Sequence, residues 1–355
     1  MKKLLILVFV GFLLFNGCEK KDEEEVTKED IKIVKIGGLL ALTGSASQWG
    51  KNCKNGIDLA VEQLNATNNN KIQYKMIYQD TKAEAKTAIS AFHKLKSEKV
   101  KFIIGDVSSS VNLAIAPLAD KEKIIVISPA ATSPKLTNSG EYTFRTWNSD
   151  AEEAIVMSNY CKKNNIDNIT LLLINNDYGV GLQKAFTENL KNTNIKINKV
   201  IMFEPNTKNF KPYLSKIDKQ TKALYIVGYP NELQRLFKTI YEMNIKTKIL
   251  GTSVFNDPIL KDIKLENEIL YSYPLQVENN TYREFIKSYN KKYNSTSGIA
   301  SDTAYDAMMI IDEVINKENY LKYMFSIKEF EGASGIISFD KYGDVHKPMS
   351  IKSLK

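Results

Sequence analysis

"IKIVKIGGLLALTGSASQWGKNCKNGIDLAVEQLN" (31–65) carries two hydrophobic periods in succession. Residues 31–42 form an apolar run broken only by lysines and Gly37-Gly38, the pattern of a strand. "TGSASQWG" (43–50) then interrupts it with glycines and hydroxyls, which reads as a loop. Ile57, Ala60, Val61 and Leu64 follow at i, i+3, i+4 and i+7, one face of a helix. Strand, polar loop and amphipathic helix in that order are the opening of a parallel βαβ unit.

The same alternation continues downstream. "KIQYKMIYQD" (71–80) is a strand ending in Asp, and Ala85, Ala88, Ile89 and Phe92 repeat the helical spacing. "VKFIIG" (100–105), a helix near Val111–Asp120 and "KIIVIS" (123–128) complete a first set. A second begins with "DAEEAIVMSNYCKKN" (150–164), a helix with Asp150 at its N-cap. "NITLLLI" (168–174), "KVIMF" (199–203), "ALYIVG" (223–228) and "KTKILGT" (246–252) are its strands. Helices are expected between them near Gly181–Lys191, Phe210–Ile217 and Glu232–Met243. After "EILYSYP" (268–274) come two further helices, Tyr282–Tyr293 and Ser301–Ile315. The tail, "GIISFDKYGDV" (335–345) and "MSIKSLK" (349–355), reads as strands around a Gly turn. The expected fold is α/β, with two doubly wound lobes built on parallel-type sheets.

The first thirty residues belong to neither lobe. Lys2 and Lys3 precede an apolar run, Leu4 to Phe15, that is shorter than the ~20 residues of a membrane span. This is the pattern of a secretory signal over 1–17. Cys18 directly after Gly17 is similar to a bacterial lipobox and is the candidate lipidation site. Residues 18–30 form a charged tether that cannot bury enough apolar surface to order itself. The expected address is therefore exported and lipid-anchored, periplasmic or at a cell surface.

The formal net charge is +8, and +6 once Lys2 and Lys3 leave with the signal. The lysines are spread along the chain without a basic cluster interleaved with aromatics, which argues against nucleic acid as a partner. Cys53 and Cys161 fall in different lobes and read as two buried thiols. Enzyme patterns are missing: there is no G-x-S-x-G elbow around Ser128, and "GVGLQK" lacks the ending of a phosphate-binding P-loop. His93, beside Phe92, reads as a helix-surface residue. No His/Cys cluster has metal-ligand spacing, so neither a metal nor another cofactor is expected.

Ligands of open α/β sheets bind beyond the carboxyl ends of the strands. The first-lobe loops there are "TGSASQWG", "GDVSSSVN" (105–112) and "SPAATSP" (128–134), rich in hydroxyls and small residues. The second-lobe loops are "NNDYGVG" (175–181), "GYPNE" (228–232) and "GTSVFND" (251–257), which offer Tyr178, Tyr229 and Phe255. A hydroxyl wall facing an aromatic wall suits a small molecule with a polar head and an apolar body.

Six stretches carry a resemblance: "LTGSASQWGKNCKNGIDLAVEQLN", "IIGDVSSS", "VISPAATSPKLT", "YTFRT", "NDYGVGL" and "SDTAYDA". In order and spacing the chain resembles the type I periplasmic solute-binding proteins, specifically the branched-chain amino-acid (Leu/Ile/Val-binding) family. That resemblance implies a three-crossing hinge, with lobe one at 31–148 and 276–331 and lobe two at 149–275 and 332–355. It implies that Ser108 and the Thr132 amide and hydroxyl bind a ligand carboxylate. The Ala130 carbonyl, in the turn with Ala131, would accept from an ammonium. Trp49 would roof the pocket, and Tyr178 and Tyr229 would close over it. The family's acidic partner for the α-amino group falls at Ser253, which carries no charge. Asp257 or Asp302 then takes that role, or the solute has no ammonium. The implied function is capture of an amino acid or other small carboxylate for an ABC importer, with permease and ATPase subunits as partners and the membrane reached through the lipid. The alternatives are a ligand-binding sensor of the same fold, for an amide, carboxylate or aromatic acid, and a hydrolase using Ser128 or Ser108.

Overall fold

The computed structural model describes residues 31–67, 71–260, 263, 265–275 and 277–354, so the signal, the tether and Cys18 lie outside the described residues. The first lobe runs β1 (Lys32–Leu40), α1 (Ser47–Thr67), β2 (Ile72–Asp80), α2 (Ala85–Ser97), β3 (Phe102–Ile104), α3 (Ser109–Glu122), β4 (Ile125–Ser128) and β5 (Thr143–Arg145). Its strands form one sheet in the order β2-β1-β3-β4-β5, and every adjacent pair is parallel. The second lobe runs α4 (Asp150–Lys163), β6 (Asn168–Ile174), α5 (Asp177–Leu190), β7 (Lys196–Phe203), α6 (Lys211–Leu214), β8 (Ala223–Val227), α7 (Pro230–Glu242), β9 (Lys248–Gly251) and β10 (Ile269–Pro274). The chain then adds α8 (Asn280–Tyr293), α9 (Ser301–Val314), α10 (Tyr320–Ser326), β11 (Phe330–Gly332), β12 (Gly335–Ile337) and β13 (Met349–Ser353).

The second sheet has the order β13-β10-β9-β8-β6-β7, with only β13 antiparallel to its neighbour. Strands covered on both faces must be apolar throughout, and β4 and β8 are buried along their whole length. Burying each of Leu224, Ile226 and Val227 in β8 stabilises the lobe by about 1.5–3 kcal/mol. In both sheets the first strand lies inside the order, between β2 and β3 or between β7 and β8. Each lobe therefore has a topological switch point, where the loops splay apart and leave room for a ligand.

The tail differs from its expected form. Gly335–Ile337 pairs with Phe330–Gly332 in a separate two-stranded sheet, while Met349–Ser353 adds to β10 of the second sheet. The two segments are not partners. Phe339 packs on Phe144 of the first lobe, and the Arg145 amide donates to the Gly343 carbonyl at 3.0 Å. Phe339 and Gly343 thus contact the first lobe, while β13 belongs to the second sheet. α8 and α9 pack on α1 of the first lobe. Gly56 permits this approach, because a Cβ there would stand 2.0 Å from the Ser301 carbonyl oxygen.

Candidate functional site: the cleft between the lobes

The carboxyl ends of both sheets face each other across a narrow cavity with room for little more than a water molecule. Trp49, Val107, Ala130, Thr132, Trp147 and Ile299 line it from one side, and Tyr178, Tyr229, Ser253 and Val254 from the other. Trp49 lies in the first turn of α1 and is 5% exposed. Its Nε1 donates across the cleft to Asp257 Oδ2 at 3.0 Å. Its ring meets Tyr229 edge-on, with centroids 5.6 Å apart, and Tyr229 stacks on Tyr178 at 6.0 Å. Such ring pairs add about 0.5–1.5 kcal/mol each beyond the area they bury. The rim is bridged as well. Lys135 Nζ and Asp177 Oδ1 are 2.9 Å apart, and the Asp177 amide donates to Ser110 Oγ at 3.2 Å. Gly181 lets α5 reach the facing loop, since a Cβ would stand 2.8 Å from Ser133 Oγ.

The first-lobe wall is held by its own hydroxyls. Ser128 Oγ donates to the Asp106 carbonyl at 2.8 Å and accepts from the Ala131 amide at 2.9 Å. The Ser133 amide donates to Ser109 Oγ at 3.1 Å. These bonds join the loops after β3 and β4 and leave Ala130 and Thr132 facing the cavity. Ser108 has extended backbone at the N-cap of α3, but its hydroxyl makes no capping bond. It stands instead within reach of the Tyr229 hydroxyl. Asp106 accepts from the Ser108 amide at 2.6 Å and from the Thr81 hydroxyl, and burial raises its carboxyl to about 7. This wall offers oriented dipoles without a cation, an arrangement suited to a carboxylate.

The second-lobe wall is built differently. Tyr178 Oη pairs with Thr252 Oγ1 at 2.8 Å. Asn176 caps α5 through the Gly179 amide at 3.1 Å and donates to Tyr229 Oη at 3.2 Å. Ser253 donates twice to Glu153, from its amide at 3.1 Å and its hydroxyl at 2.6 Å, and Ser272 Oγ adds a third bond at 2.8 Å. Burial raises the Glu153 carboxyl above its usual range. Asp150 is the first residue of α4 and is fully buried. The N-cap is Ser149, whose hydroxyl accepts from the Ala151 amide at 3.3 Å, so Asp150 is not the cap expected from the sequence. The Asp150 amide donates to the Thr132 carbonyl at 2.7 Å. Burial, and then the charge of Glu153, raise its carboxyl well above the usual range.

The structure thus brings Trp49, Ala130, Thr132, Tyr178, Tyr229 and Ser253 to one cavity. Ser108 sits beside it, and Ala131 is turned inward. Neither candidate amine partner lines it. Asp257 is bonded to Trp49 and to the Ile259 amide. Asp302 lines a neighbouring cavity with Tyr273 and Tyr282. Trp147, Asp150 and Glu153 were not singled out from the sequence as site residues. Cys53 and Cys161 are buried free thiols, and His93 is exposed. Among the described residues no helix is long and apolar enough to cross a membrane.

Two α/β lobes whose strand ends meet across one cleft are the layout of a solute-binding protein. The periplasmic binding protein family model matches residues 33–351, and the chain belongs to that family, as a type I member of its branched-chain amino-acid group. It is 25% identical to the Leu/Ile/Val-binding protein of Escherichia coli strain K12 over 335 residues, which are 89% of this chain and 88% of that one. It superposes on the substrate-binding protein LivJ of Streptococcus pneumoniae, in complex with isoleucine, with a TM-score of 0.81 at 26% identity, covering 90% of this chain and 95% of that one. A solute-binding protein of an R. palustris ABC transporter, in complex with benzoate, gives a TM-score of 0.84 at 17% identity, covering 91% and 93% of the two chains. That last likeness is one of fold.

Proposed function

We propose that the chain captures a small carboxylate-bearing solute, an amino acid, between its lobes by hinge closure. It then presents the solute to the permease and ATPase subunits of an ABC importer. Cys18 holds it by a lipid at an extracytoplasmic membrane surface. No chemistry is done on the solute. One observation carries this reading: six residues expected at the site line one cavity drawn from both lobes. Closure around a ligand is the work such a hinge does.

Calorimetry with amino acids tests it. Ser108→Ala and Thr132→Val each weaken binding by about 1–3 kcal/mol, through lost bonds to a charged group. Unchanged affinity in both variants places the solute elsewhere. A second reading, capture of an aromatic acid by a sensor of the same fold, is favoured by the four rings of Trp49, Trp147, Tyr178 and Tyr229 around the cavity. Uptake of radiolabelled solute in a strain lacking the protein separates the two roles. Normal uptake there removes the importer role.

A further inference from the structure

A second, roomier cavity opens beside the cleft, and the proposed solute site makes no use of it. Asn256 and Tyr273 of the second lobe stand on one side, and Tyr282 and Asn290 of α8 with Asp302 of α9 on the other. It shares only Ile299 with the cleft among the described residues. Trp147 on the cleft side meets Tyr273 on this side edge-on, with centroids 5.9 Å apart, so an aromatic pair stands between the two spaces. Asp302 lies in the first turn of α9 and accepts from backbone amides, that of Thr303 at 2.9 Å and its own. Lys347 is the cation that acts on it, but its ammonium donates to the Ser334 carbonyl at 3.0 Å and hydroxyl at 2.7 Å and faces Asp306 as well. Burial raises the Asp302 carboxyl above its usual range, which marks a charge only partly compensated.

Among the described residues no lysine or arginine lines this cavity. Nor do three metal-ligating side chains gather anywhere among them, and one carboxylate alone does not hold a divalent ion. Lys352 lies over the Tyr273 ring at 4.3 Å, and Tyr282 brings a second ring. A carboxylate beside aromatic rings, in a space that admits a small molecule, is the chemistry that recognises an organic cation. We propose that this cavity is a second binding site, outside the solute cleft, for a small organic cation, with Asp302 as its counter-charge and Tyr282 as its aromatic partner. Asp302 thus serves a different cation from the solute amine expected of it. Ser108, Thr132, Tyr178 and Ser253 do not line this cavity, so the two sites stand or fall separately. A quaternary ammonium carries no N–H and reads the carboxylate and the rings alone. A primary ammonium adds donors for Asp302 and Asn256.

The test is ligand-detected NMR on the full chain in nonionic detergent near neutral pH. The probes are tetramethylammonium and methylammonium chlorides, with sodium chloride holding the ionic strength constant. Wild type is expected to bind at least one probe saturably. Asp302→Asn is expected to weaken that binding at least ten-fold and Tyr282→Leu a few-fold, while Thr132→Val, in the solute cleft, leaves it unchanged. Unfolding temperatures show whether each variant is folded, and Tyr282→Leu carries the test if Asp302→Asn is not. No saturable binding of either probe overturns the site and leaves the solute cleft untouched. Equal affinity in wild type and both cavity variants overturns it as well. Loss in Thr132→Val as large as in Asp302→Asn places the cation in the cleft and overturns the second site.

Discussion

Asp344 and Asp150 are both buried beside the hinge, yet their surroundings differ. Asp344 receives Arg145 Nη2 at 2.6 Å and Thr137 Oγ1 at 2.6 Å. Nearby Asp306 is met in the same thorough way, by the Ala333 amide at 2.6 Å, the Ser334 amide at 2.8 Å and the Ser334 hydroxyl at 2.5 Å. Its carboxyl still rises to about 6 through burial. Asp150 has only the Thr132 hydroxyl within reach of its carboxyl, and Glu153 has hydroxyls and one amide but no cation. Of these acids Asp344 alone meets a cation directly and ties the tail to the first lobe, while Asp150 and Glu153 lie behind the wall of the cleft.

Breaking the paired side should give the largest effect. Arg145→Met leaves Asp344 buried without its cation and should destabilise the protein by about 3–5 kcal/mol. Urea unfolding followed by circular dichroism reads this directly. If stability falls by less than a surface substitution costs, the two groups of acids are not different in kind, and the contrast drawn here collapses.

The next effect lies between the lobes. Trp49→Phe keeps a ring in place but removes the donor to Asp257, a bond to a charged group worth about 1.5–3 kcal/mol. The bond exists only when the cleft is shut, so its loss should appear as weaker solute binding with little change in the unfolding of the ligand-free lobes. A fall in stability with unchanged affinity would instead make Trp49 a core residue of the first lobe.

Much of this architecture was legible in the residues. The alternation of apolar strands with helical faces marks both lobes, because a parallel sheet needs continuous apolar strands and amphipathic covers. Loops that follow strands are readable for the same reason, and they carried Trp49, Thr132, Tyr178 and Tyr229 to the cleft. The paired and unpaired acids were not legible. Glu153 meets Ser253 across a hundred residues of chain, and no local period reports such a contact. "SDAEEA" (149–154) reads as an N-terminal helical turn rich in acids, which the helix dipole alone explains. Only the fold shows that Ser149 takes the cap and frees Asp150. The tail misled for a related reason: Gly335–Ile337 and Met349–Ser353 are both strand-like, and their separate partners are set by long-range packing.

The same helical turn supplies a control within itself. Glu152 lies between the two buried acids in sequence but points toward solvent, where His346 Nδ1 stands 2.5 Å from its Oε1 and Nε2 stands 3.2 Å from Asp340 Oδ2. Burial lowers the His346 pKa, but the bonds to Glu152 and Asp340 outweigh it, and the net shift is upward. A folded pKa above the unfolded one means that the protonated ring stabilises the fold. That contribution is complete below about 6.5, the ring's ordinary value, and is lost as pH rises through the folded value. The His346 side chain is 59% exposed, so solvent keeps the effect small, within about 1 kcal/mol. Unfolding temperatures of wild type and His346→Gln should therefore differ most at pH ~5.5 and converge toward pH 8. Taking the difference cancels the buried acids common to both proteins. A gap that widens with rising pH would mean that the ring is held neutral, and that Glu152 lacks a cation just as Glu153 does.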